Sequence, residues 1–193
     1  MITKDRQYRT FEVRAGKEEN RVDGYAAVFD SETVMYEYED IQYKEVIDRN
    51  AFTGAQIQDV VMNFNHGGKP VARTKNKTLE LQIDDVGLHI SADPSGTEEG
   101  RRLYEEIKGG YIDKMSFAFT VNAEEYNRDT HTRRITGIKR LYDVAAVDMP
   151  AYDTTTIQAR SFFEAEAERE RAEARNALEL AKSKYFYFNG GKQ

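Results

Sequence analysis

Three stretches of the chain carry side chains that could act together in nucleophilic catalysis. They are "NFNHGGKPVAR" with His66, "MSFAF" with Ser116 and "RLYDVAAVDM" with Asp143. A serine hydroxyl is a weak nucleophile until a histidine takes its proton, and a carboxylate behind the histidine fixes its tautomer and stabilises the imidazolium that forms. The residue types fit this chemistry, but their spacing leaves open whether they converge.

The histidine taken alone favours a structural role. Alternation in the strand "DVVMNFNH" puts His66 at the end of an inward-facing row, after Val60, Met62 and Phe64. A lone histidine beside an apolar face is most often a hydrogen-bonded structural residue. Gly67 and Gly68 follow it, and we expect them to turn the backbone sharply and keep the ring accessible.

The serine lies in a strand that is otherwise aromatic and aliphatic. Alternation predicts that Ser116 and Ala118 share one face, while the opposite face carries Met115, Phe117, Phe119 and Val121. The small Ala118 leaves room over the strand for a substrate. A serine in a strand is nevertheless common without any catalytic role.

The third group has two candidates. Asp143 lies within an apolar strand, where an ionised carboxylate is costly unless it is paired, and Asp148 lies near the strand end before Pro150. A salt bridge is the alternative role for either aspartate, with Arg133, Arg134, Lys139 or Arg140. An oxyanion also requires a donor, and Arg73, seven residues after His66, is a candidate for it.

The surrounding segments predict a β-rich α+β fold. Alternating or continuous apolar runs such as "TFEVRA", "GYAAVFD" and "RRITGIKRLYDVAAVDM" predict strands from Tyr8 to about Asp153, and "KTLELQIDD" with "GLHISADP" predicts a hairpin. A helix is expected in "PSGTEEGRRLYEEIKGG", capped by Ser95 or Thr97 and ended by Gly109 and Gly110. A shorter helix is expected at "DRNAFTGAQIQ".

The composition changes after Arg160, where "SFFEAEAERERAEARNALELAKSKYFYF" is rich in Ala, Glu and Arg. We therefore expect a domain over residues 1–160 and a charged helical tail over 161–193. The tail has a thin apolar stripe of Ala174, Leu178, Ala181 and Tyr185. It is either a solvated helix or a docking helix for another chain.

Composition excludes several classes of protein. The 193 residues include no cysteine, which rules out disulfides, thiolate metal sites and a cysteine nucleophile. The net charge of -6 and the lack of a basic cluster argue against binding of nucleic acid. No segment approaches the roughly 20 apolar residues that span a bilayer, and the opening residues have no signal-peptide core. We expect a protein of a cytosol-like space, with no membrane partner and no cofactor.

The order of several blocks resembles the prohead serine proteases of tailed phages, which mature capsids. The blocks are "GYAAVFD", "EVIDRNAF", "NFNHGGKPVAR", "TLELQIDDVGLHISADP", "MSFAF" and "LYDVAAVDMPAYDTT", over roughly residues 24–155. The resemblance implies that His66 and Ser116 are the catalytic pair. It also makes Asp143 the third member, with Asp148 as the alternative.

The same resemblance implies a fold, a setting and partners. That family is similar in fold to the herpesvirus capsid assembly proteases, so the expected architecture is a single β-barrel-like domain flanked by helices. We expect an endopeptidase that acts inside the procapsid in the host cytoplasm, where it cleaves scaffold or the scaffold-like arm of the major capsid protein and then itself. A homo-oligomer is compatible with this role, and the tail would suit targeting to the capsid interior.

Two other functions compete with this interpretation. The first is an inactive structural or scaffold-type virion protein of the same fold, which would have no chemical need for both His66 and Ser116. The second is a metal-dependent hydrolase that uses His66, His89 and His131, but no HExxH or comparable ligand spacing is present, so no metal site is predicted.

Overall fold

A computed structural model of the protein describes residues 6–16, 20–38, 40–148 and 152–189, so Pro150 and Ala151 of the last family-like block lie outside the described residues. Strands make up 49% of the structure and helices 24%. The predicted β-rich character is confirmed.

Ten strands lie in chain order along the first 147 residues. They are β1 (Gln7–Ala15), β2 (Val22–Val28), β3 (Thr33–Tyr38), β4 (Ile41–Ile47), β5 (Val61–Phe64), β6 (Gly67–Arg73), β7 (Leu79–Ile83), β8 (Gly87–Ala92), β9 (Lys114–Asn127) and β10 (Thr132–Val147). The predicted hairpin of "KTLELQIDD" and "GLHISADP" is β7 and β8, paired antiparallel.

The strands form one mixed sheet in the order β3-β4-β10-β9-β1-β2-β8-β7, and β5 pairs with β10 and with β6. The pairs β10–β4 and β10–β5 are parallel, whereas β9 pairs antiparallel with both β10 and β1. Among the described residues no pairing joins the two ends of this sheet, so the predicted barrel is not confirmed and the sheet is open. β10 is its organising strand because it contacts β9, β4 and β5.

One face of β9 and β10 forms the apolar core. Met115, Phe117 and Phe119 are fully buried there, and the rings of Phe117 and Phe119 stack with their centroids 4.6 Å apart. Val144 and Met62, from β10 and β5, join the same cluster. The predicted alternation of the "MSFAF" strand is confirmed, and it leaves Ser116 on the other face.

The internal helix α1 (Glu98–Lys108) follows the prediction closely. The hydroxyl of Thr97 accepts a hydrogen bond from the Gly100 amide at 2.9 Å, and Gly109 is the C-terminal cap. The helix predicted at "DRNAFTGAQIQ" is wrong. Residues 49–54 form consecutive turns instead, and Gly54 has a φ of 78° that a helix does not allow.

The C-terminal helix α2 (Tyr152–Asn189) has two differently packed parts. Phe163 is fully buried against Tyr43, and its neighbour Phe162 lies under the guanidinium of Arg133. From residue 173 to residue 185 the side chains are exposed, including the whole predicted stripe; Leu178 is 56% exposed. The expected boundary at residue 160 therefore falls inside a continuous helix whose first part packs on the sheet.

Candidate active site

His66 lies in a two-residue turn between β5 and β6 and not at the end of an inward-facing strand row. Phe64 is paired with Gly67, so Asn65 and His66 form the loop of a β-hairpin. Their φ values of 48° and 55° fit a type I′ turn, which requires positive φ at both central residues. Asn and His adopt this conformation more readily than most residues. The sharp turn is thus made by His66 itself, and Gly67 is already the first residue of β6.

The imidazole of His66 contacts a carboxylate and an aromatic ring. Its Nδ1 lies 2.5 Å from Asp143 Oδ1, and its ring packs edge-on to Tyr8 with centroids 4.5 Å apart. The Asp143 side chain is 6% exposed and the His66 side chain 15%. This contact joins residues 77 positions apart in sequence, and it fixes one ring nitrogen in a partly buried hydrogen bond.

The register of the strands places the ring over β9. Tyr8 on β1 and Asp143 on β10 are both opposite Ala118, one from each side. Since the imidazole contacts both of them, it lies across Ala118, whose methyl group leaves room for it. Ser116 lies on the same face of β9, two residues or about 7 Å along the strand. The space that we expected to hold substrate over Ala118 thus holds His66.

A bulge at Tyr142 puts Asp143 on this face. Leu141 is opposite Phe119, but Asp143 is opposite Ala118, so two residues of β10 match one of β9. Leu141 therefore points into the core while Asp143 points to the opposite face, although strict alternation would put them on the same side.

The cation that accompanies Asp143 comes from the beginning of the chain. Arg6 Nη1 lies 3.6 Å from Asp143 Oδ2, and its guanidinium lies over the Tyr142 ring at 3.9 Å. Arg133 and Arg134 were two of the expected salt-bridge partners of the aspartates, but both pair elsewhere. Arg133 pairs with Glu45 and Glu124, and Arg134 pairs with Asp30 and Asp48.

Asp148 and Arg73 lie apart from this arrangement. Asp148 is exposed beyond the end of β10, and its amide donates to Asn65 Oδ1 at 3.3 Å. Arg73 donates two hydrogen bonds to Asp59, at 2.7 and 2.8 Å, and lowers the pKa of that carboxyl below its usual value. The Arg73 guanidinium is thus engaged at the surface, and we do not propose it as the oxyanion donor.

Several polar atoms around Ser116 are buried without a hydrogen-bond partner. Among the described residues they include Ser116 Oγ, His66 Nε2, Asn63 Oδ1 and Arg6 Nε. Ser116 is fully buried, and its hydroxyl is not bonded to His66. A buried polar atom without a partner costs roughly 1–3 kcal/mol, so a cluster of them requires an explanation, such as a bound water, a ligand or a reaction.

The other two histidines lie elsewhere. His89 is on β8 against Tyr25, and His131 is in the β9–β10 turn near Tyr126. The described part of the chain contains no group of three or more histidine, aspartate or glutamate side chains that could hold a metal ion.

A His–Asp pair beside a serine is the arrangement on which serine hydrolases are built. Comparison with protein families agrees: the family model of the caudovirus prohead serine proteases matches residues 8–169. The chain belongs to that family, and this membership supports a role as a capsid maturation protease. No curated protein and no solved structure matched the chain.

The family match ends at residue 169, near the last part of α2 that packs on the sheet. Within the described residues no helix has the length and apolar character needed to cross a membrane.

Sequence reasoning missed three residues beside the candidate site, namely Arg6, Tyr8 and Asn63. Arg6 precedes β1 and Tyr8 is its second residue, and nothing in their local sequence indicates that β1 pairs with β9, the strand of Ser116. Asn63 left a weak signal, because it is a polar residue between Met62 and Phe64 in a strand that we assigned to the interior.

Proposed function

We propose that the protein is a serine endopeptidase with Ser116 as nucleophile, His66 as general base and Asp143 as the residue that orients His66. The observation that supports it best is the partly buried contact between His66 Nδ1 and Asp143, which leaves Nε2 without a partner on the same face as Ser116. An imidazole held in this way has one nitrogen available to accept a proton.

The reaction proceeds in two halves. Ser116 Oγ attacks the carbonyl carbon of the peptide bond as its proton passes to His66 Nε2, and Asp143 stabilises the imidazolium. His66 then gives the proton to the leaving amine as the C–N bond breaks. Water, deprotonated by His66, hydrolyses the acyl-enzyme and restores the serine.

The substrates that we propose are proteins of the procapsid. In line with the family, they are the scaffold protein or the scaffold-like arm of the major capsid protein, and finally the protease itself. The reaction would take place inside the procapsid in the host cytoplasm. The alternative is an inactive structural virion protein of the same fold. The full burial of Ser116 is the observation that favours this alternative, because a buried hydroxyl is not accessible to a substrate.

Co-expression of the full chain with the major capsid protein and scaffold of its virus tests the proposal. We expect shortened products of a capsid or scaffold protein and of the protease in the wild type, whereas Ser116→Ala leaves every chain full length, since loss of the nucleophile lowers the rate by about 10⁶-fold.

Thr120→Val is the matched control, because Thr120 is another buried hydroxyl of β9 without a partner among the described residues. It should process normally. Cleavage that persists in Ser116→Ala, or that a chelator stops, would contradict the serine mechanism. A wild type that leaves every partner intact would favour the structural alternative.

A further inference from the structure

Asp143 is a buried carboxylate whose two oxygens face two different groups. Its Oδ1 lies 2.5 Å from His66 Nδ1, and its Oδ2 lies 3.6 Å from Arg6 Nη1. The Asp143 side chain is 6% exposed. An ionised carboxylate with so little access to water needs a cation beside it, because burial removes the hydration that stabilises its charge. His66 can supply that cation only as an imidazolium, whereas Arg6 is always charged.

The choice between these two counter-charges decides whether His66 can act as a base. A general base must hold a free lone pair on Nε2 before the serine gives up its proton. If His66 itself compensated Asp143, its Nε2 would carry a proton and could not accept another. If Arg6 compensates Asp143, His66 stays neutral, donates its Nδ1–H to the carboxylate and keeps Nε2 available.

The position of Arg6 is explained by Asp143 and its neighbour in the β10 bulge. The guanidinium lies over the Tyr142 ring, 3.9 Å from the ring centroid, and the Arg6 side chain is 20% exposed. Its Nε is buried and has no hydrogen-bond partner among the described residues. A flat guanidinium stacks well on an aromatic face. The bulge thus presents a carboxylate and a ring side by side, and both of them contact the same cation.

Arg6 lies away from the atoms that would react. Thr10 on β1 is opposite Ser116, and Arg6 is four residues before Thr10, just ahead of β1. Four residues of extended chain span about 13 Å. The His66 ring lies between these two levels. Arg6 therefore has its effect on the serine through Asp143 and His66, and not through a contact with the scissile bond.

Other charged and titratable groups around the pair do not replace Arg6. Tyr8 on β1 and Asp143 on β10 contact the His66 ring, and neither is a cation. Arg140 faces the Tyr142 ring at 4.9 Å, but within the described residues it forms no ion pair with Asp143. Arg6 also precedes the family match, which begins at residue 8, so the match assigns no role to it.

We propose that Arg6 supplies the counter-charge of Asp143 and thereby keeps His66 neutral in the resting enzyme. Arg6 is a positioning residue, since it holds the charge balance of the pair and does not touch the substrate. This role rests on the proposed function, because it takes Ser116 as the nucleophile and His66 as its base.

The test uses the full-length protein and a fluorophosphonate probe, with the labelling rate of Ser116 measured as a function of pH. The Ser116 Oγ–P bond forms as the P–F bond breaks, fluoride leaves, and the serine proton passes to His66. We expect labelling in the wild type, none in Ser116→Ala, and a rate that falls at low pH as His66 becomes protonated.

Arg6→Met removes the charge and keeps an unbranched side chain. Without Arg6 the carboxylate attracts a proton to His66 more strongly, so the midpoint of the pH–rate profile should move up by about one pH unit. The rate should be about tenfold lower at pH values below the wild-type midpoint and should reach the wild-type plateau at high pH. A ¹⁵N NMR titration of His66, assigned by comparison with His66→Gln, should show the same shift in the absence of probe.

Two further variants separate the charge of Arg6 from other effects. Arg6→Lys keeps the charge, so its midpoint should stay close to that of the wild type. Arg140→Met is the matched control, because it removes a cation from the same Tyr142 ring without removing an ion pair of Asp143. Its midpoint should not move.

Each other result contradicts the proposed role of Arg6. A wild-type midpoint in Arg6→Met, or equal shifts in Arg6→Met and Arg140→Met, would mean that Arg6 is not the specific counter-charge of Asp143. A lower rate at every pH with an unchanged midpoint would assign Arg6 to packing. A midpoint in Arg6→Lys equal to that in Arg6→Met would show that charge is not the cause. These results leave Ser116 as the nucleophile, whereas absence of labelling in the wild type would overturn the proposed function itself.

Discussion

The two faces of β9 are both buried, yet they differ in what the burial achieves. On the inner face Met115, Phe117 and Phe119 are fully buried among apolar neighbours. On the outer face Ser116 and Thr120 are buried to a similar degree, but neither hydroxyl has a partner within the described residues. Burial alone therefore does not distinguish a core from a site, and Thr120 shows that an unmet hydrogen bond alone does not do so either.

The comparison extends to β10, where a single bulge separates the two roles. Leu141 belongs to the apolar cluster, and Asp143, two residues later, contacts His66 on the outer face. The inner face should thus control the free energy of unfolding, and Ser116 and Asp143 on the outer face should control the rate of the reaction with little effect on unfolding.

After loss of the nucleophile itself, the largest effect is expected from Asp143→Asn. The amide keeps the shape but no longer holds His66 in the tautomer that can accept a proton, so the cleavage rate should fall by about 10⁴-fold, or about 5.5 kcal/mol in activation free energy. The measurement is the rate of capsid or scaffold cleavage by purified protein, with a melting curve to verify folding.

Asp148→Asn is its matched control, because Asp148 is exposed beyond the strand end. Its rate should stay within about twofold of the wild type. Unchanged cleavage rates in both variants would reduce the proposed triad to a Ser–His pair. A lower cleavage rate in Asp148→Asn alone would make Asp148, and not Asp143, the residue that orients His66.

An intermediate effect is expected from Phe117→Ala on the inner face. Phe117 contacts Phe11, Phe52 and Phe119, so its truncation removes ring contacts and leaves a cavity. The free energy of unfolding, measured by urea denaturation, should fall by about 3–5 kcal/mol. A loss below about 1 kcal/mol would mean that the inner face contributes less than its burial suggests.

The smallest effect is expected from Ser116→Ala in the same urea experiment. The substitution removes a buried hydroxyl without a partner and leaves a methyl group, so the free energy of unfolding should stay the same or rise by up to about 1 kcal/mol. A clear decrease would show that Ser116 stabilises the fold, which would remove the contrast between the two faces.

Much of this architecture could be predicted from local patterns. The period of two in "MSFAFTV" assigned Phe117 to the core and Ser116 to the opposite face, and the Thr97 cap and the Gly109 stop bounded α1 correctly. These features depend on neighbours within a few residues, which the sequence specifies directly.

Predictions failed where a pattern competed with a non-local constraint. The segment "DRNAFTGAQIQ" forms turns over residues 49–54 and not the expected helix, because the backbone amides of Ile138 and Leu141 on β10 donate hydrogen bonds to the carbonyls of Ala51 and Gln56. His66 seemed to continue a strand, but the chain reverses at Asn65 so that β6 can pair with β5. Neither constraint can be seen in a short window of sequence.

The sequence by itself determined the residue types of the candidate site and the faces of its central strand, because side-chain direction in a strand follows from the period of two. The tertiary structure alone decided that His66 reaches Asp143 and that Arg6 accompanies this carboxylate. The physical reason is register: the bulge at Tyr142 and the parallel pairing of β5 with β10 depend on how the whole sheet assembles, and a shift of one residue would turn each of these side chains to the other face.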